Sequence, residues 1–147
     1  WESTANGWDG SYVVNTREAA KKAYAEAGIS NPASDIDLAE VHDCFSITEL
    51  VIMEDLGFSS PGEAVKDILD GHYDADGRLP VQIDGGLKCF GHPVGASGLR
   101  MAYEVYTQLL GRAGDRQLVT PSIGLTQNLG GSPSNSVVAV GLFGLLN

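Results

Sequence analysis

The chain has 147 residues, enough for one domain with its own buried core, and 43% of them are hydrophobic. Nineteen acidic residues against nine basic ones give a formal net charge of −10, which argues against nucleic acid or an anionic membrane as a partner. Two cysteines make no disulfide framework and no apolar run has transmembrane length, so we expect a cytoplasmic location.

The first predicted element is a helix from Thr16 to Ala27, which carries alanines at helical spacing. Asn15 and Glu18 stand at the spacing of a capping box, and Gly28 follows where a helix would stop. Because natural chains rarely begin at tryptophan, we expect the sequence to be a piece of a longer protein.

The next predicted element is a short strand, Ile36 to Val41, which ends at the tripeptide His42-Asp43-Cys44. Ser46 and Glu49 form a second capping box that predicts a helix as far as Leu56. The tripeptide is therefore expected in a strand-to-helix turn, a common location for reactive side chains. Two structural interpretations stay open, since Asp43 could cap the following helix and Cys44 could be a small buried hydrophobe.

The second half of the chain continues the alternation of helices and strands. A short helix is predicted from Ser60 to about Leu69, followed by a polar loop and then a helix from about Ser97 to Leu110. Two strands, 117–124 and 136–144, are predicted to flank a turn formed by Asn128-Leu129-Gly130-Gly131. The last strand is nearly continuously apolar, which is typical of a strand covered on both faces. The whole order predicts a layered α/β domain.

The stretch from Gly85 to Gly98, GGLKCFGHPVGASG, combines five glycines with Cys89 and His92. Pro93 restricts the backbone of His92, and the glycines let the main chain approach a ligand. The alternatives are a plain turn and a phosphate cradle, although the spacing fits neither a P-loop nor GxGxxG. A zinc site could in principle use His42, Cys44, Cys89 and His92, but the pairs lack zinc-finger spacing, so no metal site is expected.

Four segments in order, VHDCF, GGLKCFGHPVGASG, QLLGRAGDRQ and GLTQNLGG, resemble the C-terminal half of thiolases. The match is to the sterol-carrier-protein-type branch, which carries HDCF, and it extends over residues 16–144. The resemblance implies an α/β fold, one βαβαβαββ half of a duplicated layered α/β/α structure. It also implies that residues 16–147 form the thiolase C-terminal domain. The first strand of the fold would then be missing or reduced, and the polar N-terminal segment, residues 1–15, would be its remnant or a linker.

The resemblance also implies a role for each matching residue. His92 would line an oxyanion hole and help to activate the nucleophile, and His42 would replace the asparagine that positions a water. Cys44 would be the acid/base thiol, since Asn128 stands where classical thiolases carry a cysteine. Further residues implied are Gly130 and Gly131 with Asn128 for a second oxyanion hole, and Gly91 and Pro93 for substrate binding. Cys89 matches no family position and is interpreted as a packed thiol.

The activity implied is Claisen condensation or thiolysis of acyl-CoA thioesters, with coenzyme A thioesters as substrates and no covalent cofactor. The family nucleophile lies in an N-terminal half that this chain lacks, so the isolated chain is expected to be inactive. The implied partners are that half, on the same or a separate chain, and further copies in a homo-oligomer. The alternatives are a thiolase-like aldolase, whose family uses tyrosines in place of His and Cys, and a non-catalytic domain that binds acyl-CoA or lipid.

Overall fold

The computed structural model describes residues 11–132 and 135–145. Within these ranges the chain forms, in order, α1 (Val14–Ala27), α2 (Pro32–Asp35), β1 (Leu38–Glu40), α3 (Ser46–Asp55), α4 (Ala64–Leu69), α5 (Gly86–Phe90), α6 (Ser97–Leu109), β2 (Ile123–Ser132) and β3 (Asn135–Gly144). A single 3-10 turn at Gly114–Arg116 lies between α6 and β2. Residues 1–10 of the predicted N-terminal segment lie outside the described residues, so its interpretation stays a prediction.

The three strands form one sheet in the order β1-β2-β3. β1 pairs with β2 in parallel, with Leu38 opposite Gly124 and Glu40 opposite Thr126. β2 and β3 are antiparallel over their whole length. Parallel neighbours need a long crossover connection, and here the segment from α3 to α6 provides it.

Helices cover both faces of this sheet. Ala39 of β1 packs on one face with Ala20 of α1 and Ile52 of α3. Leu38, its neighbour along the strand, points to the other face and packs with Val105 of α6. This alternation follows from the two-residue period of a strand, and it confirms the predicted layered α/β/α architecture.

Three predictions for the C-terminal strands are wrong. The strand predicted at 117–124 begins only at Ile123, and the predicted turn at Asn128–Gly131 is part of β2. The hairpin ladder explains this, because every residue from Ile123 to Ser132 has a partner on β3. β3 is also not covered on both faces by the described residues, since Val137 is 80% exposed.

The predicted capping boxes do not form. α1 begins at Val14, and α3 begins directly after Phe45, in both cases without a side-chain cap. Asn15 instead donates from its amide to the main-chain oxygen of Ser136, at 2.6 Å. A tertiary contact to β3 therefore replaces the predicted local one. α4 begins at Ala64, later than predicted, and α5 was not predicted.

Helix α6 occupies the predicted range, and its apolar residues divide between two sides. Val105 and Leu109 are buried, whereas Leu99 and Tyr106 are 73% and 54% exposed. The helix packs on β1 and β2, so only one side of its apolar surface is used within the described chain. None of the described helices is long and apolar enough to cross a membrane.

Candidate functional site

The turn after β1 places three polar residues in the protein interior. His42 is 6% and Asp43 is 4% exposed, while Cys44 is half-buried. The preceding Val41 is held on both sides by Gln82, which accepts from its N–H at 3.1 Å and donates to its C=O at 2.7 Å. The Gln82 amide thus takes the place of a strand partner where β1 ends.

Asp43 connects this turn to the glycine-rich stretch. Its Oδ1 accepts a hydrogen bond from the N–H of Leu87 in α5, at 2.7 Å. The interpretation of Asp43 as a cap for the next helix along the chain is therefore wrong, because it serves α5 instead. Gly86 makes this approach feasible, since a β-carbon there would overlap the Asp43 carboxylate and its φ is +63°.

His42 is anchored from β2 at two points. Its main-chain N–H donates to Oε1 of Gln127 at 3.2 Å, and its Nδ1 lies 2.7 Å from Oδ1 of Asn128. Gln127 is fully buried. Two adjacent residues of one strand thus hold both the backbone and the ring of His42.

His92 is exposed and is anchored locally. Its Nδ1 lies 2.7 Å from Oγ of Ser97, the first residue of α6. The Ser97 hydroxyl donates to the main-chain oxygen of Pro93 at 3.3 Å. A hydroxyl can both donate and accept, so Ser97 holds the ring of His92 in place whichever ring nitrogen carries the proton.

The two imidazoles face each other across one cavity. Their ring centres are 5.1 Å apart and the planes meet at 82°. The cavity has a volume of about 630 Å³. Its lining contains six of the residues predicted for the site, namely His42, Cys44, His92, Asn128, Gly130 and Gly131. Gly91 and Pro93 flank His92 in the chain and are not part of the lining.

The electrostatic environment favours neutral His42. Burial lowers the pKa of the imidazole, and the neighbouring His92 lowers it further. The Asn128 hydrogen bond and the Asp43 charge act in the opposite direction and raise it. Burial is the largest of these effects, so the pKa of His42 lies below its ordinary value and the ring is neutral at pH 7.

The cysteines differ in placement. Cys44 lines the cavity, with its Sγ 3.8 Å from Oγ1 of Thr48. Cys89 is exposed on α5, so its interpretation as a packed thiol is wrong. The short helix turns Leu87 inward and leaves Cys89 on the outer side. Over residues 11–132 and 135–145, no three His, Cys, Asp or Glu side chains are placed to hold a metal, so the zinc alternative has no geometric support.

Sequence reasoning missed Gln82, Ser97 and Gln127. Gln127 lies between the strand predicted at 117–124 and the turn predicted at Asn128–Gly131, and a polar residue next to a site residue is a usable signal. Ser97 follows His92 by five residues, at the predicted start of a helix. Gln82 lies in a predicted loop, and nothing in the sequence marks it.

Comparison with known proteins places these residues in a family context. The family model described as thiolase C-terminal domain-like matches residues 4–141. Acetyl-CoA acetyltransferase of Methanothermobacter thermautotrophicus is 46% identical over 125 residues, which are 85% of this chain and 32% of that protein. Human sterol carrier protein 2 is 39% identical over 115 residues, 78% of this chain and 21% of that protein.

A solved structure with the same architecture is the Ltp2-ChsH2(DUF35) aldolase. It matches with a TM-score of 0.72 and 26% identity, covering 89% of this chain and 31% of the other. The chain thus spans a third or less of the length of these relatives.

Proposed function

This chain belongs to the thiolase C-terminal domain-like family, and on that basis we propose that it is the C-terminal part of an acyltransferase acting on acyl-CoA thioesters. The reaction is Claisen condensation or thiolysis. The observation that carries the proposal is the pair of imidazoles 5.1 Å apart, each anchored through Nδ1, in a cavity also lined by Cys44.

The chemistry of such a reaction suits this cavity. Removing a proton from the α-carbon of a thioester creates an enolate, whose oxygen needs hydrogen-bond donors, and oriented donors of this kind lower a barrier by several kcal/mol. His92 and the main-chain amides of Gly130 and Gly131 are our candidates for binding thioester oxygens. Cys44 is our candidate for exchanging a proton with the leaving or attacking group. Gly91 and Pro93 set the backbone that carries His92.

The nucleophile that carries the acyl group lies outside this chain in our proposal. The part of this chain that matches covers 32% of one relative and 21% of the other, which leaves room for a second half that supplies it. The exposed apolar side chains of α6, Leu99, Tyr103 and Tyr106, offer that half a surface. Assembly into a homo-oligomer is part of the same proposal.

A second candidate is aldol cleavage of a hydroxyacyl-CoA, which the structural match to an aldolase favours. The resemblance implies tyrosines at the reacting positions of such aldolases, whereas this cavity has His42 and Cys44. We therefore rank thiolase chemistry first. A third candidate, a domain that only binds acyl-CoA, predicts heat of binding without turnover in calorimetry with acetyl-CoA.

The test uses the full-length protein that contains this chain, assayed for thiolysis of acetoacetyl-CoA and for cleavage of a hydroxyacyl-CoA. We expect thiolysis, and His92→Ala should lower kcat/KM by about two to four orders of magnitude because an oxyanion donor or base is lost. Cys89→Ser, a change on the outer side of α5, is the control and should keep full activity. Near-normal turnover of His92→Ala would remove His92 from the mechanism, and aldol cleavage alone would favour the second candidate.

A further inference from the structure

Gln82 has a backbone conformation that glutamine rarely adopts. Its φ is +58°, in the left-handed region, and within residues 11–132 and 135–145 only Thr120 is another non-glycine residue with a positive φ. A residue with a β-carbon is strained there, and such strain persists only where the surrounding contacts maintain it. Strained residues cluster at functional sites, so the contacts of Gln82 indicate what its conformation serves.

The main chain of Gln82 ends a short pairing alongside β1. Val81 forms a parallel bridge with Ala39, and the N–H of Gln82 donates to the oxygen of Ala39 at 3.0 Å. If this pairing continued, the main-chain oxygen of Gln82 would accept from the N–H of Val41. It accepts instead from the N–H of Gly85 at 2.9 Å, so the chain turns away from β1 at this point.

The side chain of Gln82 replaces the pairing that the turn removes. Its Oε1 accepts from the N–H of Val41 at 3.1 Å, and its Nε2 donates to the oxygen of Val41 at 2.7 Å. The left-handed φ thus lets the main chain leave β1 while the amide stays bound to it. Val41 directly precedes His42, so the two bonds fix the point where the turn with His42 and Cys44 begins.

The same segment leads to His92. After Gln82 the chain enters α5, which ends two residues before His92. A β-carbon on Gly86, the first residue of α5, would overlap both Nε2 of Gln82 and the carboxylate of Asp43. Asp43 in turn accepts from the N–H of Leu87 at 2.7 Å. The start of the segment that carries His92 is therefore packed directly against the turn after β1.

We propose that Gln82 is a positioning residue that sets the separation between the turn with Cys44 and the loop with His92. The proposal rests on the proposed function, in which both side chains act on one thioester and therefore need a fixed separation. A displacement of about 1 Å in such a site can lower a rate about a hundredfold. Gln82 is not part of the cavity lining, so it acts through Val41 and not on the substrate.

Two substitutions separate the amide from the strain. Gln82→Ala removes the amide and keeps the strained φ, whereas Gln82→Gly removes both. In the full-length protein, both should lower kcat for thiolysis roughly tenfold to a hundredfold with little change in KM. Gln82→Gly should have the higher midpoint in urea denaturation, because glycine adopts a φ of +58° without strain. A wild-type kcat in Gln82→Gly would overturn the proposal.

A third substitution, Gln82→Glu, gives a readout in pH. The carboxylate still accepts from the N–H of Val41, but it can donate to the oxygen of Val41 only when it is protonated. The kcat of this variant relative to the wild type should therefore rise as the pH falls through the pKa of the new carboxyl. A ratio that does not depend on pH would contradict the role of the amide as a donor.

The separation itself can be followed by NMR on the full-length protein labelled with histidine, with His42→Gln and His92→Gln used for assignment. The two ring centres are 5.1 Å apart in an edge-to-face arrangement, so the ring protons should show a mutual NOE. Gln82→Ala should weaken this NOE and shift both sets of ring signals, and unchanged signals would overturn the proposal. This readout needs no turnover, so the absence of thiolysis would contradict only the proposed function.

Two controls test for a merely structural role. The side chain of Gln117 also binds main chain, accepting from the N–H of Ala113 and donating to the oxygen of Gln108, both at 3.0 Å, and it does not line the cavity. Gln117→Ala should lower the urea midpoint and leave kcat and the NOE unchanged. Thr120→Gly relieves the other positive φ and should also keep kcat. If Gln117→Ala lowers kcat as strongly as Gln82→Ala, the effect is a general loss of stability and the proposal is wrong.

Discussion

The two imidazoles of the cavity are held in opposite ways. His42 is almost fully buried, and its partners Gln127 and Asn128 are 85 and 86 residues away in the sequence. His92 is exposed, and its partner Ser97 follows five residues later. One ring is therefore placed by the packing of the sheet, and the other by a short loop.

The two histidines should therefore respond to different kinds of mutation. A change that loosens the sheet should displace His42 together with the fold, since its anchors are part of the core. A change in the loop should displace His92 and leave the fold intact. The two rings can then be perturbed one at a time, which makes their contributions separable.

The largest effect is expected where one side chain connects the strand that leads to His42 with the helix that follows His92. Arg100, three residues into α6 after Ser97, pairs through Nη1 with Asp84 before α5 and with Glu40 at the end of β1, the latter at 3.3 Å. All three side chains are at least nine-tenths buried. Removing the cation leaves the buried Asp84 and Glu40 without their partner, so Arg100→Ala should lower the free energy of unfolding by about 3–5 kcal/mol in urea denaturation.

The pH dependence of this loss gives a further check. Burial raises the pKa of Glu40 to about 8, and the charge of Arg100 opposes the rise. A raised carboxyl pKa stabilises the fold at low pH and ceases to do so as the pH increases through the folded-state pKa. Without Arg100 that pKa rises further, so the variant should lose more stability than the wild type between pH 6 and 9.

The control for the loss of an arginine is Arg112→Ala, at an exposed site, which should change the free energy of unfolding by no more than about 0.5 kcal/mol.

A smaller effect is expected where Asp43 ties the histidine turn to α5. Gly86→Ala forces an alanine to φ +63° and places its β-carbon against the Asp43 carboxylate, so it should cost about 1–3 kcal/mol. Gly28→Ala is a matched control, because φ there is +72° and no atom lies within 4 Å of the added carbon. Its loss of stability should come only from placing an alanine in the left-handed backbone conformation. Equal losses in the two variants would show that the contact with Asp43 contributes nothing.

The same difference between local contacts and contacts far apart in the sequence explains what the sequence allowed us to predict. The helix after His92 and the layered α/β order follow from local periodicity, and both are confirmed. Asn128–Gly131 was predicted as a turn because glycines favour turns locally, yet pairing with β3 keeps it extended. The anchors of His42 join residues more than eighty positions apart, and a single sequence carries no signal for such pairs.

The smallest change in stability is expected at the local anchor of His92. Ser97→Ala removes the hydroxyl that hydrogen-bonds to Nδ1 of His92 and donates to the oxygen of Pro93, so it should cost only about 1 kcal/mol. In the full-length protein, however, a misoriented ring should lower kcat roughly tenfold to a hundredfold with little change in KM. Ser97→Thr keeps the hydroxyl and should restore most of kcat.

Ser34→Ala provides the control for the loss of a hydroxyl, because Ser34 on α2 also donates to a nearby main-chain oxygen, that of Asn31, at 3.2 Å. It should leave kcat unchanged. If Ser97→Ala lowers the free energy of unfolding as strongly as Arg100→Ala does, and kcat falls with it, then His92 is placed by the fold as a whole. If kcat falls while the free energy of unfolding hardly changes, the loop alone sets the ring, and the two imidazoles are held as independently as their contacts indicate.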